Sequence, residues 1–378
     1  MEGLSHGNVG NVTLAQDPLP VISDPRWEVA GKVSQLYLYP VKSFMGVPLT
    51  EAIVEKHGLS SGSFMDRQLM VTDGKHKFIT GRQYPKLVLI ECNISQKNSI
   101  TFSAPNMPNL TVDLSTSGEL IETDVFGSKC QGTDLGQDIG TWIGKFLEKE
   151  HLEFHMIYHD YNAKSSSRQL QESTAVEPMT KPNDVPLYAD GFGYLLTTDA
   201  SIDTLNEKLA SKKTDVRVEH RRFRPNIVVE GTEGGFCEDH WLYIKINGTV
   251  FRNSKGCTRC TYTTVNPDYG TKEKDGEPLK TLKSFRYWYT QDKLEKKMKK
   301  AQTKIYFCRS TLNPAEKSMY GNSPFFGINL GLDHPGGQIN VQDQVYVIKA
   351  PPAKSSLLTS LLWLQAPLFI GFLIKQYL

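Results

Sequence analysis

Apolar and polar positions alternate in short stretches over most of the chain, and a helical period interrupts them at two places. Val33-Ser34-Gln35-Leu36-Tyr37-Leu38-Tyr39 is rich in β-forming residues and stops at Pro40, as a strand stops at a loop. Further β-rich stretches at 67–72, 87–94 and 110–114 are separated by turn residues, a spacing that predicts a β-barrel or sandwich-like first domain. Over 138–147, Ile139, Trp142, Ile143, Phe146 and Leu147 recur at the spacing of an amphipathic helix. A second helix is predicted over 201–209, with Ile202, Leu205 and Leu209 on one face and Thr198 or Asp199 as its cap. Between the two, Lys164-Ser165-Ser166-Ser167-Arg168 and the polar residues after it predict an exposed loop near a domain boundary. The clearest hairpin joins 242–246 to 249–251 through Asn247-Gly248, a pair that tolerates the positive φ of a type I′ turn. A last strand is predicted at 344–348.

The chain's 378 residues make roughly two to three domains by length. Lys and Arg number 43 against 41 Asp and Glu, a net charge of +2 that argues against a dedicated nucleic-acid binder. Six cysteines are too few for a disulfide scaffold, and the opening Met1-Glu2-Gly3-Leu4 has neither the basic start nor the apolar core of a signal peptide. A reducing compartment is therefore expected. At the other end, residues 357–374 (LLTSLLWLQAPLFIGFLI) carry no charge between Lys354 and Lys375. That length lies at the short end of what spans a bilayer, with Gln365 and Pro367 against it, and it predicts a C-terminal anchor over 355–376 that leaves the rest of the chain facing the cytosol. The alternative is a helix packed on the globular body. The lysine-dense run 292–304 is read as a solvated helix in a surface insertion rather than a lipid or nucleic-acid contact.

Cys257-Thr258-Arg259-Cys260 is the most informative tetrapeptide. The β-rich Thr261-Tyr262-Thr263-Thr264-Val265 after it does not suit the helix that opens beyond a redox dithiol. With Cys237 and His240 it has the spacing of a zinc ribbon, and a third reading makes Cys257 a lone ligand to a soft, redox-active metal. Elsewhere Lys42-Ser43, Asp66-Arg67 and Arg221-Arg222-Phe223-Arg224-Pro225-Asn226 offer positive charge and donors to an anionic cofactor, while no P-loop or Rossmann fingerprint follows a strand.

At these residues the chain resembles a known family. Leu38-Tyr39-Pro40-Val41-Lys42-Ser43, with Gly58-Leu59 and Asp66-Arg67, looks like the N-terminal β-barrel that precedes a MOSC domain. Phe223-Arg224-Pro225-Asn226-Ile227-Val228-Val229 and Gly256-Cys257-Thr258-Arg259-Cys260, continuing to Asn266-Pro267, look like the MOSC core. The segments 278–286 and 320–327 extend the match, which runs over 33–348 and is closest to the mitochondrial amidoxime-reducing component family.

The resemblance implies a β-rich mixed α/β chain: a loose arm over 1–30, a β-barrel-like domain over 31–165, a MOSC β-barrel domain over 166–350, and the apolar C-terminal helix. It implies a molybdenum–molybdopterin cofactor with Cys257 as the protein ligand to molybdenum. Family cofactor contacts fall on Lys42, Ser43, Arg67, Arg224, Asn226, Lys255, Gly256 and Tyr320, and Asp190 is a candidate proton relay. The implied reaction is two-electron reduction of N-hydroxylated compounds such as amidoximes and hydroxylamines with loss of water. Its electrons come from NADH through cytochrome b5 reductase and cytochrome b5, at the mitochondrial outer membrane or, in second place, the endoplasmic reticulum. Departures are Gly191-Phe192 where relatives carry small hydroxyl residues, Thr258 for the commoner Ser, and an apolar segment at the C-terminus in place of an N-terminal anchor. Two other readings stay open: a sulfur carrier like the MOSC module of molybdenum cofactor sulfurase, and a non-catalytic membrane adaptor stabilised by zinc.

Overall fold

The computed structural model describes residues 19–286 and 323–350, apart from 96, 116–117, 161–167, 169–178 and 183. Residues 292–304, Tyr320 and 355–376 therefore lie outside the described residues, and the expectations placed on them go with them.

Among the described residues, seven strands close on one another. Around the barrel they run Ile227–Glu230, Tyr194–Thr198, Phe325–His334, Thr249–Thr258, Trp241–Ile246, Gln344–Lys349 and Glu28–Leu38, which returns to Ile227–Glu230. One pair is parallel, Tyr194–Thr198 with Ile227–Glu230, and the helix Asp199–Ser211 supplies the crossover that a parallel pair requires. Glu28–Leu38 comes from the N-terminal part of the chain and closes the barrel against two partners in turn. It does so by bending, with register shifts between Val29 and Gly31 and between Val33 and Gln35. A Cβ on Gly31 would lie 2.1 Å from the Glu230 carbonyl oxygen, so only glycine lets the strands meet there.

A four-stranded sheet of Leu120–Val125, Ser128–Asp134, Phe154–Tyr158 and Leu69–Asp73 stands beside the barrel. The helix Gln137–Phe146 packs on it, burying Ile139, Trp142, Ile143 and Phe146, the stripe that the sequence pattern predicts. The second helix is capped by Thr198, whose hydroxyl accepts from the Ser201 N–H at 3.3 Å. The Asn247-Gly248 turn joins Trp241–Ile246 to Thr249–Thr258 with φ of 42° and 80°, as expected.

Two expectations are corrected. Residues 87–94 form no single strand: Pro85–Leu89 is a 3-10 turn with Pro85 at its start and Leu87 and Val88 buried, and only Glu91–Asn93 is extended. A short apolar run reads alike for a buried turn and a buried strand. Thr261–Thr264 is likewise a 3-10 turn, because the Thr263 and Thr264 hydroxyls donate back to the Cys260 and Thr261 carbonyls at 2.9 and 2.8 Å.

Beneath the second helix the carboxylate of Glu238 is 0% exposed, accepting from Ser201 Oγ at 2.7 and 2.9 Å and from Thr198 Oγ1 at 3.1 Å. Burial, and then the neighbouring Asp239 charge, push its pKa up from 4.5 to about 7. A carboxyl whose folded pKa is raised contributes stability below its ordinary value and loses it as pH rises through the folded value. The urea midpoint should therefore fall between pH 4.5 and about 7, by the equivalent of ~3 kcal/mol. Glu238→Gln should flatten that slope; an unchanged slope in the variant would place the titration elsewhere.

Candidate active site

The chain leaves the first barrel strand through Tyr39-Pro40-Val41-Lys42-Ser43, and a buried polar network fixes that exit. The Asp66 carboxylate accepts from the Tyr39 N–H at 3.0 Å and from Asn226 Nδ2 at 2.9 Å, and pairs with Arg67. Asn226 is itself buried: Nδ2 also donates to the Tyr37 carbonyl at 3.3 Å, and Oδ1 accepts from the Leu195 N–H at 3.2 Å. Arg67 continues to the Arg224 carbonyl at 3.1 Å, and Arg224 donates to the Phe44 carbonyl at 2.5 Å. Both guanidinium carbons stand over the Tyr39 ring, 4.3 Å and 4.2 Å from its centroid. Ser43, Arg67 and Arg224 all have positive φ, at 73°, 50° and 58°, a conformation that costs a non-glycine residue backbone strain.

Beside this layer Lys42 is buried with its ammonium on the Tyr188 carbonyl at 2.9 Å and on the Asp190 carboxylate. Burial lowers the Lys42 pKa, and Asp190 pulls the other way without restoring it. The Asp190 side chain keeps 69% of its surface open, yet protein stands close enough around it for desolvation to be the largest influence on its ionisation. The Lys42 charge and hydrogen bond, with Arg82 and Arg67, outweigh that influence and hold the carboxyl below the usual range. Such a group lies on the floor of an open recess.

Arg168 secures that floor. Read from sequence as part of an exposed loop, it is 3% exposed. Its guanidinium donates to the carbonyls of Leu187, Val125 and Asp190, each at 3.2 Å, and to that of Ala189. Four carbonyl acceptors repay the desolvation of the charge, which is why an arginine in a polar stretch is drawn inside.

Cys257 sits near the end of the Thr249–Thr258 strand. The paired residues step from Gly256 opposite Ile328 to Thr258 opposite Phe325, so Cys257 faces two residues, Phe326 and Gly327. This β-bulge turns the strand end, and Gly327 adopts the φ of 72° it needs. Arg259 pins the segment beyond, donating to the Phe326 carbonyl at 3.0 and 2.7 Å and to the Phe223 carbonyl at 2.9 Å. Cys257 stays half-buried while burial raises its thiol pKa; Arg259 and Lys255 draw it down and Asp190 raises it further. Lys255 lies 5.6 Å over the ring of buried Phe192, so the departure at Gly191-Phe192 supplies a cation–π partner where a hydroxyl was expected. Tyr262 donates to the Ser43 carbonyl at 3.3 Å and lies under Arg224, and it too senses Asp190.

Lys42, Ser43, Arg67, Asp190, Arg224, Asn226 and Cys257, from five separate stretches of chain, are thus linked by hydrogen bonds, ring contacts and the reach of their charges, with Lys255 and Gly256 preceding Cys257 on its strand. Sequence reasoning missed Tyr39 and Tyr262 as platforms and Asp66 as an anchor, although all three lie in or beside the motifs it singled out. For Arg168 there was no local signal. The zinc arrangement is not assembled: Cys237 is buried on the 3-10 turn Cys237–His240, with its thiol pushed up to about 12 chiefly by burial. Among the described residues no three His, Cys, Asp or Glu side chains converge as metal ligands.

Residues 30–150 match the MOSC N-terminal beta barrel domain and residues 185–346 match the MOSC domain. Mitochondrial amidoxime-reducing component 1 of Mus musculus is 32% identical over 330 residues, covering 85% of this chain and 84% of that protein. Mitochondrial amidoxime reducing component 2 of Homo sapiens is 33% identical over 324 residues, again 85% and 84%. Among solved structures, the YUAD protein of Bacillus subtilis aligns over 86% of this chain and 100% of its own at 9% identity and a TM-score of 0.32, too distant to carry an argument.

Removing the Lys42 charge should release Asp190. In Lys42→Met the Asp190 carboxyl pKa should rise, read from the pH dependence of its side-chain carbon resonance by NMR; an unmoved resonance would show that Arg82 and Arg67 suffice.

Proposed function

The chain belongs to the mitochondrial amidoxime-reducing component family of MOSC-domain proteins, and on that footing we propose that it is a molybdenum-cofactor-dependent reductase of N-hydroxylated compounds. The observation that carries this reading is one half-buried thiol, Cys257, close enough to Asp190 to feel its charge, while Asp190 is bonded to Lys42 and lies within the reach of the Arg67 charge. The residues fit an anionic group of that kind. Buried Tyr39 Oη and Arg224 Nη2 have no hydrogen-bond partner among the described residues, and three positive charges face few negative ones.

Cys257 would hold the metal, and Lys42, Ser43, Arg67, Arg224, Lys255, Gly256 and Tyr320 would contact the molybdopterin and its phosphate. Asn226 serves through Arg67 and Asp66, since its own amide is spent on them. When bound, the cofactor supplies the two-electron redox chemistry that cleaves an N–O bond. The protein's share is position and protons. Lys255 and Arg259 favour the thiolate that a metal requires, against the pull of burial. Asp190, held as a carboxylate by Lys42 and open to solvent, would take a proton only in passing, relaying it from solvent to the oxygen that leaves as water. Arg168 keeps the Asp190 backbone from drifting.

The electrons would come from NADH through cytochrome b5 reductase and cytochrome b5. The relatives' names support a mitochondrial association, and we place the protein on the outer membrane through its C-terminal apolar segment. The endoplasmic reticulum is the second candidate. No helix among the described residues is long and apolar enough to cross a membrane, so that attachment rests on residues 357–374.

Purified wild type should contain about one molybdenum per chain together with phosphorus, read by plasma mass spectrometry, and should reduce benzamidoxime in the presence of the two electron donors. Cys257→Ala should lose the metal and all turnover while keeping its thermal transition. A folded wild type without molybdenum, from a host that makes the cofactor, would turn the reading toward a sulfur carrier with Cys257 as acceptor.

A further inference from the structure

Among the described residues, two hairpins turn through two residues with φ in the left-handed region. The first uses Asn247-Gly248, the pair best suited to it. The second joins Leu120–Val125 to Ser128–Asp134, with Val125 paired to Ser128 and φ of 51° at Phe126 and 81° at Gly127. A phenylalanine there accepts backbone strain that asparagine would avoid. It gains no core packing in exchange, because Phe126 is 45% exposed.

What surrounds the ring gives it a use. Phe78 meets it edge to face at 5.2 Å, and the Arg82 guanidinium and Lys42 ammonium lie 5.2 and 5.7 Å from its centroid. That same Lys42 holds Asp190. The hairpin tip is also fixed to the recess floor, since one Nη2 of Arg168 donates to the carbonyls of both Val125 and Asp190 at 3.2 Å. A strained, solvent-facing aromatic ring is thereby held beside the carboxylate proposed to handle protons.

We infer that Phe126, backed by Phe78, is a substrate platform: it stacks the planar aryl group of an N-hydroxylated substrate, so that aryl amidoximes bind in preference to alkyl ones. The inference rests on the reductase reading of this recess and names the substrate class within it. An aryl ring gains offset or edge contact with Phe126 that a methyl group cannot make, and the neighbouring cations polarise the ring that receives it.

The test is calorimetric binding of benzamidoxime and acetamidoxime to the purified full-length holoprotein, beside Phe126→Asn and Phe126→Leu. Wild type should favour the aryl compound. Phe126→Asn should bind benzamidoxime about 3- to 10-fold more weakly and acetamidoxime unchanged. The same variant should melt at a higher temperature, because asparagine suits the turn, and a merely structural residue would not lose binding while gaining stability. Phe126→Leu, apolar but without the ring, should fall with Phe126→Asn. An equal loss for both compounds, or no loss for either, overturns the platform. So does a fall in molybdenum and phosphorus content in Phe126→Asn, which would assign the ring to the cofactor. If aryl preference persists in binding while neither amidoxime is reduced, the platform stands and the reductase reading fails.

Discussion

The site depends on one buried carboxylate. Asp66 is buried at the exit of the first barrel strand and neutralises Arg67, while Lys42 is met by Asp190, and without Asp66 the Arg67 charge would be left unpaired in a largely buried position. Its oxygens take the Tyr39 N–H, the Asn226 amide and the Arg67 guanidinium. That ties the exit of the first barrel strand, the loop at Arg67 and the entrance of the Ile227–Glu230 strand into one unit. The same tie sets the orientation of Tyr39, and with it the two guanidiniums that stand on its ring. A buried ion pair is weak evidence of stability, but here its registry role is plain, since its partners come from parts of the chain 27 and 160 residues apart.

Guanidinium groups recur as internal staples. Arg168 gathers four carbonyls under the Asp190 floor, and Arg259 fastens the chain beyond Cys257 to the Phe326 and Phe223 carbonyls. Arg286 binds Asp239 and the Phe325 carbonyl at 3.1 Å. A planar fork with five donors can satisfy several irregular carbonyls at once, which a lysine cannot. The consequence is a rigid frame built from loops, so that the thiol and the carboxylate keep their places without the support of a long helix.

Left-handed non-glycine residues occur in several parts of the fold, among them His76, Glu148, Lys213, Phe236 and Gln342. Where the fold needs only a turn, at Asn247-Gly248, the residues are those the turn prefers. Around the recess, Ser43, Arg67, Arg224 and Phe126 hold the same left-handed conformation with side chains that resist it. Arg67 and Arg224 are held by hydrogen bonds from elsewhere in the fold, the Ser43 carbonyl accepts from Tyr262, and Phe126 is held by ring and cation contacts.

The sequence by itself determined most local elements and the family, and named the candidates for the site. Periodicity marked two of the three described helices, the Asn-Gly pair marked the main hairpin, and the motifs around Lys42, Arg224 and Cys257 identified the family and the candidate site residues. These were legible because each depends on near neighbours: a stripe, a cap, a turn pair, a short motif. What only the tertiary structure decided depends on contacts across long separations. Glu28–Leu38 closes the barrel with strands of the second half, the 87–94 run turns because Leu87 and Val88 bury, and Arg168 leaves a polar stretch for four carbonyls. The split between Cys237, buried on a 3-10 turn, and Cys257, half-buried on a bulge, is of the same kind. Cysteine spacing along the chain looks alike in both cases; burial, register and the charges around each thiol set the two apart.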